Sequence, residues 1–255
     1  HYREGSRFRD MKKLRVDEWL CAHGVCADRD EALRMIMEGR VRYNPDMLVR
    51  KASETVAFEA ALLVDTADAF ASRGAQKLRP ALERLLPDLA GLIAMDVGAS
   101  TGGFTDVMLH DGAAKVYAVD VGKGLLHAKL RNDPRVVCLE GVNARTLDRS
   151  IIPEPVDLVA MDVSFISATK ILPAADTVMK PGAWAFILVK PQFEADRADV
   201  PPGGVVADEA VRAACVEKVK RFATERLAWN FLEVTPSEIK GPKGNQEYIA
   251  VFRKG

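Results

Sequence analysis

No stretch of this chain approaches the roughly 18 consecutive apolar residues that a bilayer-spanning helix needs, so a helical membrane protein is excluded as an expectation. No secretory leader pattern is visible either. An excess of one charge is also missing, because 36 Lys and Arg balance 36 Asp and Glu. Any attraction to a polyanion must therefore come from how the charges are distributed. Cysteine is scarce: Cys21, Cys26, Cys138 and Cys215 are scattered, and the five-residue step from Cys21 to Cys26 fits neither a zinc knuckle nor a redox C-x-x-C pair. No metal site is expected, and the thiols read as the reduced cysteines of a cytoplasmic protein. There is no internal repeat and no low-complexity tract. What remains, 48% hydrophobic and 28% charged residues over 255 positions, suits a globular chain with one large and one small domain.

Two regions differ in character. His1–Asp10 is polar and patternless, and Met11 reads as the natural start, so residues 1–10 are expected to be foreign to the natural chain. Residues 11–64 read as a small, basic α+β domain. Apolar residues at helical spacing predict helices over Arg15–His23 (Val16, Trp19, Leu20) and Asp30–Glu38 (Leu33, Ile36, Met37). Gly24 and Gly39 stand where helix C-caps belong, and Asp28 or Asp30 is placed to cap the second helix. Short strands are expected at Arg40–Tyr43 and Thr55–Phe58, around a turn at Asn44-Pro45. Residues 65–71 read as a linker. From residue 72 onward strands (92–97, 115–120, 136–140, 156–162, 183–190, 230–235, 247–253) alternate with helices (74–86, 103–111, 124–130, 168–179, 207–227). That alternation predicts an α/β, Rossmann-like fold with a mostly parallel seven-stranded sheet and helices on both faces. The last two strands, joined through GPKGN, should form an antiparallel edge hairpin.

The segment IAMDVGASTGGFTDVML, residues 93–109, carries the strongest signal. It reads as a buried strand, a glycine-rich turn and the start of a helix, the cradle for a nucleotide-like cofactor at the carboxyl edge of a parallel sheet. A phosphate loop needs Gly-Lys-Ser/Thr, but Gly103 is followed by Phe104 and Thr105, and Gly98–Gly103 does not spell G-x-G-x-x-G. Instead Asp96 closes the strand, a carboxylate suited to a cationic ligand such as S-adenosylmethionine. Asp120 ends the next strand, where an acid can bind both hydroxyls of an adenosine ribose. The expected cofactor residues are Asp96, Gly98, Ala99, Ser100, Thr101, Gly102, Gly103, Phe104, Asp120, Val121 and Asp162, with Asn143 reading adenine or capping its loop.

Asp162 ends VDLVAMD and Lys190 ends AWAFILVK, so both fall with Asp96 on the site-bearing edge. Lys77 lies on the first helix of the large domain and Glu247 begins its last strand. Singly, Lys77 and Glu247 pass for solvated residues. Together, two lysines and two acids form a charge-balanced cluster able to handle a proton, because a partly desolvated lysine beside another cation can act as a base. Such a cluster suits transfer of an alkyl group to a hydroxyl.

SRGAQKL, MDVGASTGGF, the Asp ending VAMD, LVKPQFE and GNQEYI resemble the FtsJ-like RNA ribose methyltransferases, of the class I methyltransferase fold. The stretch RVDEWLCAHGVCADRDEALRMIMEGRVRYN resembles an S-four-type RNA-binding domain. The two in tandem, with DVSFIS, resemble the TlyA family, also called hemolysin A. The resemblance covers residues 11–255. It implies 2′-O-methylation of ribosomal RNA, usually at cytidine, with S-adenosylmethionine as donor and ribosomal RNA or ribosomal subunits as partner. It also implies a catalytic tetrad of Lys77, Asp162, Lys190 and Glu247. On that reading Lys190 deprotonates a ribose hydroxyl in line with the donor methyl, Asp162 positions Lys190, and Lys77 and Glu247 place the ribose. Arg15, Arg29, Arg34, Arg40, Arg42, Lys51 and Arg73 are the expected RNA contacts, since arginine forks bind phosphate. Asp28-Arg29 and Asn44-Pro45 depart from the family's usual Ser-Arg and Asn-Gly. No membrane contact and no obligate protein partner are expected. The alternatives are a membrane-lytic protein, a non-catalytic RNA-binding module, and a methyltransferase of proteins or small molecules.

Overall fold

The computed structural model describes residues 13–64 and 74–255, which fall into two compact units divided at residues 73 and 74. The proposed linker 65–71, Arg73 and residues 1–12 lie outside the described residues.

The first unit runs β1 (Leu14–Arg15), α1 (Val16–Ala22), α2 (Arg29–Met37), β2 (Val41–Asn44), β3 (Met47–Leu48), β4 (Thr55–Val56) and β5 (Leu63–Val64). Asp28 caps α2: its side chain accepts from the Glu31 N–H at 2.8 Å, and Glu31 Oε2 accepts from the Ala27 N–H at 2.8 Å, so two orphan donors at this helix start are satisfied. Gly24 and Gly39 follow the helices with φ of 70° and 71°. The buried face of α2 differs from expectation. Ala32, Met35 and Ile36 face the core, while Leu33 and Met37 are exposed. Both stripes have helical spacing, and small Ala32 lets α2 pack close against Trp19 and Leu20 of α1, which share its core cluster. Strand pairing differs as well. β2 pairs with β3 across the Asn44-Pro45 turn and with β5 on its other side, whereas Thr55–Val56 pairs with β1. Glu54 explains the redirection, because its Oε1 accepts from the N–H groups of Arg50 (2.9 Å) and Lys51 (2.7 Å) and folds the chain back before β4.

The second unit runs α3 (Ala75–Leu85), β6 (Ile93–Val97), α4 (Gly103–His110), β7 (Lys115–Asp120), α5 (Ala128–Arg131), β8 (Val136–Glu140), β9 (Val156–Met161), α6 (Leu172–Val178), β10 (Met179–Val189), α7 (Pro191–Glu194), α8 (Glu209–Arg221), β11 (Asn230–Pro236) and β12 (Tyr248–Arg253). Its seven strands form one sheet in the order β11-β12-β10-β9-β6-β7-β8. The five strands from β10 to β8 are parallel. β12 runs antiparallel between β10 and β11, so the expected hairpin contributes an inserted strand as well as an edge. β6, β9 and the second half of β10 are almost wholly apolar, as parallel strands covered on both faces must be. The chain leaves β6 toward β7 and β8, then returns to β9 on the other side of β6. This reversal is the topological switch point, where ligands bind in open α/β sheets.

Two helices are shorter than expected. Residues 168–179 are α-helical only over Leu172–Val178, after a 3-10 turn at Ala168–Lys170, and yield to β10 at Met179. Of residues 124–130 only the end is helical, in α5, because the preceding residues close over the glycine turn. The His127 N–H donates to the Thr101 carbonyl at 3.0 Å, and Leu126 and Leu130 lie against Gly102.

Candidate active site

The turn after β6 is built by its glycines. Gly98 has φ +82°, and a Cβ there would stand 2.0 Å from the carbonyl oxygen of Asp162. The backbone of the turn therefore lies directly on the end of β9, an approach only glycine allows. Gly98 and Ala99 donate their N–H groups to the Val119 carbonyl at 2.9 and 3.0 Å, which ties the turn to β7 as well. Ser100 is left-handed (φ 52°), and Gly102, with φ +102°, leads into α4. Phe104 is buried with the first turn of α4.

Asp96 is fully buried. Its Oδ2 accepts from the Thr105 N–H at 3.0 Å and the Thr105 hydroxyl at 2.7 Å, which anchors the start of α4. Its Oδ1 is buried without a hydrogen-bond partner. Burial pushes this carboxyl up to about 7 against the hydrogen bonds from Thr105, and the charges of Asp162 and Asp120 add to the rise. Asp120, one strand over, accepts from the Ser100 N–H at 2.8 Å and the Gly122 N–H at 2.7 Å. Val121 beside it is exposed. Asn143 is a capping asparagine, since its side chain accepts from the Arg145 N–H at 3.0 Å.

The four polar residues at the sheet edge form two ion pairs. Asp162, one residue past β9, pairs with Lys190, one residue past β10. Lys190 also donates to the Ser164 hydroxyl at 3.1 Å. Lys77 on α3 donates to both oxygens of Glu247, at 2.9 and 3.2 Å. Glu247 is fully buried, with the backbone of Gly241 lying against its carboxylate. Burial alone would raise the Asp162 carboxyl, but the charges of Lys190 and Lys77 outweigh it and hold this group below the ordinary carboxylate value. That Lys77 acts on Asp162 makes the two pairs one electrostatic cluster.

Three residues of the segments adjoining Lys190 and Asp162 carry no signal of their own in the sequence. Ser164 accepts from Lys190. Phe165 is exposed, has φ 65° and packs against Phe193 with ring centroids 5.1 Å apart. A left-handed phenylalanine is strained, and such strain collects at functional sites. Glu194 is buried beneath this loop. DVSFIS and LVKPQFE were visible as motifs, but nothing in them announces a positive φ or a buried carboxylate.

In the first unit the Asp17 carboxylate gathers two of the expected RNA-binding residues. Arg15 donates to it through Nε and Nη2 (3.0 and 2.9 Å), and Arg29 through the same two nitrogens (3.3 and 3.1 Å). Arg34 is exposed on α2 and Lys51 is exposed after the β3 turn. Arg40 contacts Glu38 at 3.2 Å, and Arg42 donates to the Pro45 carbonyl at 3.0 Å.

A family model described as FtsJ-like methyltransferase matches residues 70–254. This chain belongs to the FtsJ-like methyltransferases, in their TlyA (hemolysin A) family. It is 45% identical over 245 residues to the "16S/23S rRNA (cytidine-2'-O)-methyltransferase TlyA" of Mycobacterium tuberculosis, covering 95% of this chain and 90% of that protein. It is 38% identical over 243 residues to "Hemolysin A" of Brachyspira hyodysenteriae, covering 94% and 99% of the two chains. Among solved structures, a candidate hemolysin of Streptococcus thermophilus matches with a TM-score of 0.81 at 36% identity, over 96% of this chain and 89% of that one. The FtsJ-like family match spans the glycine turn and all four residues of the paired cluster.

Proposed function

We propose that this chain transfers a methyl group from S-adenosylmethionine to the 2′-hydroxyl of a ribosomal RNA ribose, at cytidine. The observation that carries this reading is the joint cluster of Lys190–Asp162 and Lys77–Glu247, set at the switch-point edge beside a glycine turn. A 2′-hydroxyl is a weak nucleophile, and such a cluster provides groups that orient it and take its proton.

The residues at the turn suit the cofactor. Gly98 and Gly102 leave room that a Cβ would fill, Asp120 offers carboxylate oxygens at the end of β7, and Asp96 holds a buried oxygen lacking a donor. When bound, the cofactor supplies an electrophilic methyl carbon on a sulfonium. Lys190 holds the ribose hydroxyl and carries its proton away. Asp162 fixes Lys190, which acts from its neutral amine form so that its lone pair can take the hydroxyl proton, and Lys77, locked by Glu247, places the ribose. Phe165 presents an aromatic face on which an unpaired base can stack, in keeping with RNA recognition through splayed nucleotides. The first unit serves as the S-four-type RNA-binding domain, with Arg15 and Arg29 aligned by Asp17 toward phosphate. Residues 11–64 and 72–255 are the two domains on this reading, joined by 65–71, with Arg73 a further RNA contact. The protein works in the cytoplasm, where ribosomes assemble, and needs no obligate protein partner.

One of the family's names points to membrane lysis. Among the described residues no helix is long and apolar enough to cross a membrane, and the paired cluster has no part in a lytic reading. The test is incubation of the protein with isolated ribosomal subunits and methyl-labelled cofactor, followed by nuclease mapping. A labelled cytidine 2′-O-methyl is expected. Label confined to protein, or to a base, would contradict the proposal.

A further inference from the structure

Glu194 takes no part in the cluster described above, yet it is a side chain almost closed to solvent (2% exposed) that carries a carboxylate. Its Oε1 accepts from the Ala168 N–H at 2.8 Å and its Oε2 from the Ser167 hydroxyl at 2.6 Å. The half-exposed Lys218 of α8 lies 3.2 Å from Oε2 and donates to the Glu194 carbonyl at 2.9 Å. The Glu194 N–H in turn donates to the Lys190 carbonyl at 3.1 Å.

These bonds connect two segments. One runs from Asp162 to Ala168 and the other from Lys190 to Glu194. They are joined at the active end by the bonds of Lys190 to Asp162 and Ser164, and between by the Phe165–Phe193 contact. At the far end the tie is Glu194. The loop holds a strained residue, Phe165, so it needs bonds that over-determine it. Burying a carboxylate is costly unless its oxygens are satisfied. A side chain that only packed there would be apolar.

We infer that Glu194 is a positioning residue for methyl transfer: it clamps the 162–168 loop so that Asp162 and Ser164 meet Lys190. The clamp works through hydrogen bonds more than through charge. This inference rests on the methyltransferase reading.

The experiment compares Glu194→Ala, Glu194→Gln and Ser167→Ala with the wild type, each as the full chain. It measures single-turnover methyl transfer to ribosomal subunits, cofactor affinity, and hydrogen exchange in the 162–168 segment. Glu194→Ala should slow transfer at least about tenfold and raise exchange in that segment, with cofactor affinity within about threefold. Glu194→Gln keeps an oxygen for the Ala168 N–H, and its amide group can meet a Ser167 hydroxyl that turns to accept, so it should restore transfer to within about threefold of wild type. Ser167→Ala removes the hydroxyl that meets Glu194 at a half-exposed position, together with that hydroxyl's bonds to the Thr169 hydroxyl (2.7 Å) and N–H (3.2 Å). Its effect is therefore read beside Glu194→Gln, which keeps those two bonds. It should slow transfer severalfold and raise exchange, and it stands in for Glu194→Ala if that variant does not fold. The inference is overturned if exchange in the segment is unchanged, if Gln is as damaging as Ala, or if transfer and cofactor affinity fall in equal measure. A wild type that transfers nothing overturns the methyltransferase reading, and the assignment of Glu194 with it. A wild type that transfers and an alanine variant that matches it overturn the assignment alone.

Discussion

Glu247 grips Lys77 with both carboxylate oxygens, at 2.9 and 3.2 Å, across 170 residues of sequence. The carboxylate is fully enclosed and the lysine side chain is 12% exposed. Removing one partner of such a pair strands the other charge in a poorly solvated place, which costs about 3 kcal/mol or more. Glu247→Ala should therefore lower stability by roughly that amount and reduce methyl transfer by two orders of magnitude or more. Urea unfolding beside a transfer assay checks both. Loss of transfer with full stability would show that the pair acts in catalysis alone.

Gly98 and Gly102 make a matched test of the turn. A Cβ at Gly98 would meet backbone, the Asp162 carbonyl at 2.0 Å, and cannot be accommodated without moving the residue that pairs with Lys190. A Cβ at Gly102 would meet Leu130 Cδ1 at 2.3 Å and Leu126 Cδ1 at 2.8 Å, side-chain ends that can swing aside. Both positions have positive φ, which costs a non-glycine residue roughly 1 kcal/mol or more. Gly98→Ala should abolish activity and destabilise strongly, while Gly102→Ala should fold and retain part of its cofactor affinity. Calorimetric binding and thermal melts separate the two, and equal damage at both sites would refute the backbone argument.

Much of this architecture could be read from the sequence, and the failures have physical causes. Parallel strands covered on both faces leave continuous apolar runs, so β6, β9 and the second half of β10 announced themselves, and Asp162 and Lys190 stood out as charges ending such runs. Lys77 and Glu247 were weaker signals, since neither shows in its own segment that it is buried. In α2 two stripes had helical spacing, and the smaller Ala32 decided which faced inward. Glu54, which redirects the chain before β4, looked like any surface acid. Phe165, Ser164 and Glu194 drew no notice because a left-handed backbone and a buried carboxylate have no local sequence signature.

Asp96 gives the chain a pH dependence of known sign. Its folded carboxyl stands at about 7, above the value near 3.9 of an unfolded aspartate. Between about pH 4 and 7 the folded state holds a proton that the unfolded state has lost, so stability falls as pH rises through that window. Asp96→Asn removes this term and can still accept from Thr105. It should be more stable than wild type at pH 8, by on the order of a few kcal/mol at most, and the difference should vanish near pH 4. It should also bind the cationic cofactor less tightly. Urea melts across that range test the sign; a variant less stable at pH 8 would reverse it.

Asp17 is the organiser of the first unit's cationic patch, since burial raises its carboxyl but Arg15 and Arg29 hold it below the ordinary value. Phosphate contacts should make RNA affinity fall with salt. Arg29→Ala should weaken binding and make the slope of log affinity against log salt shallower by about one. An unchanged slope removes Arg29 from the interface.

On the proposed mechanism Lys190, held by Asp162, moves the proton of a ribose hydroxyl. This step is tested most directly by single-turnover transfer of a labelled methyl group to ribosomal subunits by the wild type and by Lys190→Ala. The wild type should give a 2′-O-methyl product, and the variant should lose about a thousandfold or more of the transfer rate with cofactor binding preserved. A variant that turns over at the normal rate would contradict it.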